Sequence, residues 1–226
     1  DYRVVMACRN AEKAAAARSR LLAMVPGADA SVLPLDISVL GSVAEFVNLF
    51  AEQFGALDLL INNAGIVAIP FTRNAAGHEM QMATNYLGNF ALVGGMLPIF
   101  TAERPCRVVN VGSLAHRFGT LPLHDMNWDK DNYKPMAGYA RSKVALLTFT
   151  LELNRRLAGR NIIALAAHPG FAATEITAGN PAMQPKNAIS RWINSRIEPL
   201  IPTAADAARP ILRAALAEGV RGGEYY

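Results

Sequence analysis

Cysteine is scarce. The two cysteines among 226 residues, Cys8 and Cys106, lie far apart and without metal-like spacing, which supports neither a disulfide framework nor a zinc site. Reducing, cytoplasmic surroundings are therefore the expectation. Long apolar runs are missing too: none approaches the roughly 20 residues that a membrane-spanning helix needs, and no signal-peptide pattern opens the chain. Charge of one sign is not concentrated anywhere. The 22 basic and 18 acidic residues leave a net charge of +4 at pH 7 but are scattered, so there is no stripe of the kind a nucleic-acid partner requires. A phosphate-bearing small molecule fits that balance better. Repeats, low-complexity tracts and an interdomain linker are likewise lacking, which leaves one domain spanning 1–226.

What is there is enough to build a core: 52% of the residues are hydrophobic and 18% charged. Short apolar runs alternate with helical stretches. Arg3 to Cys8 reads as a strand, Asn10 as the N-cap of an alanine-rich helix to Met24, and Val32 to Leu35 as a second strand. Val43, Phe46, Val47 and Phe50 fall at helical spacing ahead of Gly55, the expected C-cap. Leu57 to Ile61, Arg107 to Val111 and Ile162 to Ala167 read as buried strands. Between them the pattern predicts a long helix from about Gly77 to Phe100, and another that carries Tyr139 and Lys143 to Leu157. Thr203-Ala204-Ala205-Asp206 is a capping-box pattern opening a last helix to Glu218, which Pro210 is expected to kink or shorten. The alternation argues for a parallel sheet covered on both faces, a doubly wound α/β fold.

The chemistry is centred on Tyr139-Ala140-Arg141-Ser142-Lys143, which on a helix puts a phenol and an ammonium on one face. A nearby cation favours the phenolate, so Lys143 is expected to lower the pKa of Tyr139 from about 10 and fit it to protonate or deprotonate an oxygen. Ser113, at the end of the strand Val108 to Val111, can donate to a carbonyl oxygen shared with Tyr139, although a plain turn serine reads the same way. Asn85 is an unfavourable residue inside a helix. Asn62-Asn63-Ala64-Gly65 ends another strand, as a turn or as a place where backbone approaches a ligand. Arg9 directly follows the strand Arg3 to Cys8, where an acidic residue would bond a free ribose 2′-hydroxyl and an arginine would meet a 2′-phosphate. NADP(H) is therefore favoured over NAD(H), unless Arg9 is an ordinary solvated arginine.

Taken together with His168-Pro169-Gly170, these motifs resemble the short-chain dehydrogenase/reductase family over nearly the whole chain. Ser-Leu-Ala-His after the strand, the 26-residue step from Ser113 to Tyr139, and His-Pro-Gly resemble its retinol-dehydrogenase-like branch. The resemblance implies a Rossmann-like NADP(H)-dependent oxidoreductase acting on a carbonyl or alcohol. Tyr139 would be acid or base, Lys143 would tune it and anchor ribose, Ser113 would hold the oxygen, and Asn85 would hold a relay water. Asp36 and Ile37 would border the adenine, Asn63, Ala64 and Gly65 its ribose side, and Thr174 the nicotinamide carboxamide. Asp36 and Thr174 could also be helix caps. A Pro-punctuated stretch, 175–202, is too long for an ordinary connection and reads as a substrate lid. Its Ile176, Met183, Ile189, Trp192 and Ile193, with Phe171 just before, suit an apolar substrate or equally a subunit contact, so a homo-oligomer stays open. Two departures from the family stand out. Gly112 occupies the place of a second serine, and the family's first strand and glycine-rich loop are missing, as if the chain were truncated at both ends. The expectation is either a gap in the sheet, filled by something else, where about 30 residues of strand, turn and helix belong, or a longer polypeptide that continues past these ends; residues 1–226 alone are expected neither to fold stably nor to hold NADP. A catalytically silent protein of the same fold is the rival reading.

Overall fold

The computed structural model describes residues 2–128, 130–170 and 203–226. Strands β1 (Arg3–Cys8) and β2 (Asp29–Pro34) flank helix α1 (Ala11–Met24), and helix α2 (Leu40–Phe54) leads to β3 (Leu59–Asn62). Next come a single helical turn, α3 (Met80–Met82), a π-helical turn over Ala83–Leu87, and α4 (Gly88–Met96). Strand β4 (Cys106–Val111), helix α5 (Pro135–Arg156), strand β5 (Ile162–Ala167) and, among the described residues, helix α6 (Ala204–Leu216) complete the order. Among these elements no helix is long and apolar enough to cross a membrane. The proposed lid, 175–202, lies outside the described residues, as do Thr174 and Phe171.

All strand pairs are parallel, as the alternating pattern predicts. They form two sheets, β1-β2 and β3-β4-β5, with Tyr225 adding a parallel bridge to Ala166 at the β5 edge. Among the described residues no pairing joins β1 to β3, which is the discontinuity the sequence leads one to expect. One apolar core serves both sheets. Leu33 and Leu35 meet Phe46 and Phe50 of α2, Leu92 and Met96 of α4, and Val108 and Ala164 of the larger sheet. On the opposite side, Val109, Leu165 and Ala167 pack on Ala214 and Ala215 of α6. Helices thus cover both faces, which is the doubly wound arrangement.

Local chemistry explains most boundaries. The Asn10 side chain accepts from Lys13 N at 2.8 Å and caps α1, and Gly55 ends α2 in the left-handed region at φ 71°. The helix expected from Gly77 begins at Met80 instead. Gly77 has φ +84°, and both Glu79 carboxylate oxygens accept from the first free amides, Gln81 N at 2.9 Å and Met82 N at 2.8 Å. Pro210 does not shorten α6, which runs on to Leu216 from a Thr203–Asp206 capping box. Burial of Ala214 and Ala215 outweighs the one backbone hydrogen bond that a proline removes.

A buried polar chain fixes α5 on the sheet. Asn62 Nδ2 donates to Asn110 Oδ1 at 2.7 Å, Asn110 Nδ2 to Thr150 Oγ1 at 2.8 Å, and Thr150 Oγ1 to Leu146 O at 2.8 Å. Because unmade hydrogen bonds in a dry core are costly, this chain sets the register of α5 against β3 and β4.

Candidate active site

Three elements deliver the candidate catalytic groups to the carboxyl ends of β3 and β4. Ser113 follows Gly112 at the end of β4, Tyr139 and Lys143 lie one turn apart near the start of α5, and Asn85 projects from the π-helical turn. Ser113 is within hydrogen-bonding reach of the Tyr139 phenol. Lys143 Nζ sits 5.8 Å from the centre of the Tyr139 ring and donates to the Val111 carbonyl at 2.7 Å. Asn85 is wholly buried: its Oδ1 accepts from Ile66 N at 2.8 Å, and its Nδ2 donates to Ile66 O and to Ser142 Oγ, both at 2.9 Å. Ser142 in turn donates to Tyr139 O at 2.7 Å. The Asn85 carboxamide therefore clamps the loop after β3 to the turn of α5 that carries the phenol.

The electrostatics differ from the expectation in one respect. Burial raises the Tyr139 pKa, and the Ser113 hydrogen bond only partly opposes it. The cause is desolvation, which disfavours the phenolate, and the Lys143 ammonium is directed at Val111 O. Tyr139 is thus shifted toward its protonated form, the one that can donate a proton. Lys143 pays the desolvation cost itself, its pKa falling from 10.5 to about 8.

That fall has a stability consequence of definite sign. Below about pH 8 Lys143 is buried as a cation. Between about 8 and 10.5 the unfolded chain binds the extra proton, so stability rises with pH across that window. At 1.36 kcal/mol per pH unit the full difference is about 3 kcal/mol. Relative to Lys143→Met, the parent should gain most of that between pH 8 and pH 10.5 in reversible denaturant unfolding. A difference that stays flat across the window would rule out the buried cation.

The residues expected to meet a dinucleotide lie at the same ends of the strands. Asn63 and Ala64 are exposed just after β3. A Cβ on Gly65 would stand 3.2 Å from Asn85 Oδ1 and 3.7 Å from Lys143 Nζ, so the missing side chain lets the backbone after β3 pack close against Asn85 and the buried ammonium. Asp36 is not a helix cap. Its Oδ1 accepts from Ser38 N at 3.0 Å and Ser38 Oγ at 2.6 Å, whereas α2 starts after Val39. Ile37 is buried against α4, and Arg9, 76% exposed, reaches to 3.9 Å from Asp36 Oδ2. Ser142, the link from Asn85 to Tyr139, stands inside the Tyr-to-Lys motif but carries no signal of that role in the sequence. Gly222 to Tyr226 reads in the sequence as the start of a final strand, with no sign that the Tyr225 ring lies against Gly112 and edge-on to His116.

In a doubly wound parallel α/β fold the carboxyl ends of the strands are where ligands bind, and a serine, a tyrosine and a lysine are gathered there. Comparisons with known proteins define the class. A family model described as short chain dehydrogenase matches residues 1–185. Human retinol dehydrogenase 13 is 38% identical over 173 residues, 76% of this chain and 52% of that protein. Human retinol dehydrogenase 12 is 34% identical over 226 residues, 99% of this chain and 69% of that protein. The chain thus spans about half to two thirds of the length of these relatives. Pseudomonas aeruginosa RhlG, solved with NADP at its active site, is 25% identical with a TM-score of 0.70, over 99% of this chain and 83% of that one. The chain belongs to the short-chain dehydrogenase family, in its retinol-dehydrogenase-like branch.

Proposed function

We propose that the protein is an NADP(H)-dependent oxidoreductase that acts on an apolar carbonyl or alcohol, with Tyr139 as the general acid or base. The observation that carries this reading is the convergence of Ser113, Tyr139 and Lys143 on one strand end, with Asn85 bracing it. Family membership and the NADP-bound relative support it.

The residues present fit the ribose and adenine ends of a nicotinamide dinucleotide: exposed Asn63 and Ala64 follow β3 close to the buried Lys143 ammonium, and a carboxylate and a guanidinium meet near the ends of β1 and β2, while a glycine-rich turn to cradle the pyrophosphate is not among the described residues. Lys143 and Asn63 to Gly65 would hold the nicotinamide ribose side, Asp36 and Ile37 the adenine, and Thr174 the carboxamide. Bound there, the cofactor would supply or accept the hydride. The chain's own residues do the rest. Ser113 and Tyr139 hold the substrate oxygen between two hydroxyls. In reduction Tyr139 Oη gives that oxygen its proton, and Lys143, protonated at neutral pH, carries the positive charge that favours the phenolate left behind. Replacement of the proton would run from Lys143 through a water held beside Asn85. Incubation with NADPH and a panel of aldehydes and ketones, followed at the reduced-nicotinamide absorbance, tests the reading. Consumption is expected with the more apolar members, and none with any member would overturn it.

Cofactor choice is assigned to Arg9, whose exposed guanidinium can make charge-assisted bonds to a 2′-phosphate. Arg9→Asp should shift the NADPH-to-NADH ratio of kcat/KM toward NADH by about tenfold or more, the value of one such bond at 1.5–3 kcal/mol. An unmoved ratio would leave Arg9 a solvated surface residue.

A further inference from the structure

Gly112 is buried at the end of β4, next to Ser113, and the space a side chain would take there is occupied. A Cβ on Gly112 would come within 2.9 Å of Tyr225 Cε2 and 3.4 Å of its hydroxyl. The Tyr225 backbone is held by the β5 edge, where Ala166 N donates to Glu224 O at 3.0 Å, Tyr226 N to Ala166 O at 3.0 Å, and His168 N to Tyr226 O at 2.7 Å. Its ring is then fixed from two sides, over the Gly112 backbone and edge-on to His116 with centroids 5.5 Å apart. His116 is itself braced, its Nδ1 lying 2.6 Å from Ser113 O. Tyr225 nevertheless keeps 37% of its surface exposed, and it is close enough to Tyr139 to interact with it electrostatically. A large aromatic ring, anchored yet part-exposed beside the two hydroxyls that would hold the substrate oxygen, presents an apolar face to whatever is attached to that oxygen.

We infer that Tyr225 is a specificity-determining residue: seated in the space left by Gly112 and backed by His116, its ring forms the wall that receives the apolar chain of a carbonyl or alcohol substrate. The inference rests on the oxidoreductase reading for the identity of the ligand, but the wall can be tested without turnover. Glycine at 112 and tyrosine at 225 form one device, because a serine at 112 would displace the ring.

The test measures the affinity of the intact protein for decan-1-ol and propan-1-ol by saturation-transfer NMR without cofactor, alongside turnover of decanal with NADPH. Losing an aromatic wall of this size should weaken decanol by about tenfold in Tyr225→Ala and leave it within about twofold in Tyr225→Phe, with propanol little changed in either. Gly112→Ser should reproduce the Tyr225→Ala loss, and the double variant should be no weaker than Tyr225→Ala alone. Absence of decanol binding in the parent, parental affinity in Tyr225→Ala, or an equal loss in Tyr225→Phe would overturn the inference. Parental affinity in Gly112→Ser would overturn the part given to Gly112. Decanol binding that depends on Tyr225 in a protein that reduces no carbonyl sustains the wall and removes the oxidoreductase reading. Turnover with binding indifferent to Tyr225 does the reverse.

Discussion

Tyr139→Phe should lower turnover by about 10²- to 10⁴-fold, the usual value of a positioned proton donor, with the melting temperature and NADPH affinity nearly unchanged. The separation follows from how the residue is held. The ring lies 5.8 Å from the Lys143 ammonium, and the clamp from Asn85 reaches the Tyr139 backbone through Ser142, not its phenol. Phenylalanine keeps all of that. What goes is the one O–H beside Ser113, a group that burial keeps protonated and therefore ready to donate to a nascent alkoxide. Steady-state kinetics with an aldehyde, paired with a thermal melt, check both halves. A variant that keeps most of its turnover would sink the mechanism, and one that melts early would show the phenol to be structural.

Gly88→Ala should produce the largest loss of stability among single methyl additions in this fold. Gly88 opens α4 where that helix crosses the turn after β2, and a Cβ there would lie 1.8 Å from the Ile37 carbonyl oxygen and 2.8 Å from the carbonyl carbon. No rotamer relieves a clash with backbone, so α4 must lift or the Ile37 turn must move. Overpacking of this kind costs about 1–3 kcal/mol or more. For a domain of this size that is a fall in melting temperature of about 2–12 °C. Six residues on, Gly94 is exposed and a Cβ there meets nothing within 4 Å. Gly94→Ala should therefore stabilise by about 0.5–1 kcal/mol through helix propensity alone. Melts of the two variants should move in opposite directions, and a shared direction would refute the packing argument. Since Ile37 borders the expected adenine site, Gly88→Ala should weaken NADPH as well.

The sequence reading succeeded where a signal was local. Residues 162–167 alternate in no pattern and are apolar throughout, as a strand buried on both faces must be, and β5 has those bounds. Asn10 and the Thr203–Asp206 pair cap their helices because capping involves neighbours three residues apart. Tyr139 and Lys143 share a face for the same reason. What escaped depends on residues far apart in the chain. Asn62, Asn110 and Thr150 show no relation until the sheet and α5 bring them together, and Gly112 reads as a lost serine until Tyr225 is found in its place. The direction of the Tyr139 shift was missed because spacing reveals a neighbouring cation but not the depth of burial or where its ammonium points. The helix start was misplaced because Gly77 and Glu79 look alike to a periodicity measure, although one is left-handed and the other supplies a cap.

The π-helical turn over Ala83–Leu87 sets the phase of everything that follows it. An α-helix advances about 100° per residue, so a turn that takes up one residue too many rotates the downstream helix by that angle relative to the upstream one. Here the rotation lets Asn85 point at Ile66 and Ser142 while Leu92, Val93 and Met96 still reach the core. This stretch is therefore constrained in length more tightly than in composition. A substitution within it alters one contact, whereas loss of a single residue would turn α4 about its axis, expose its apolar face and carry Gly88 off the Ile37 carbonyl.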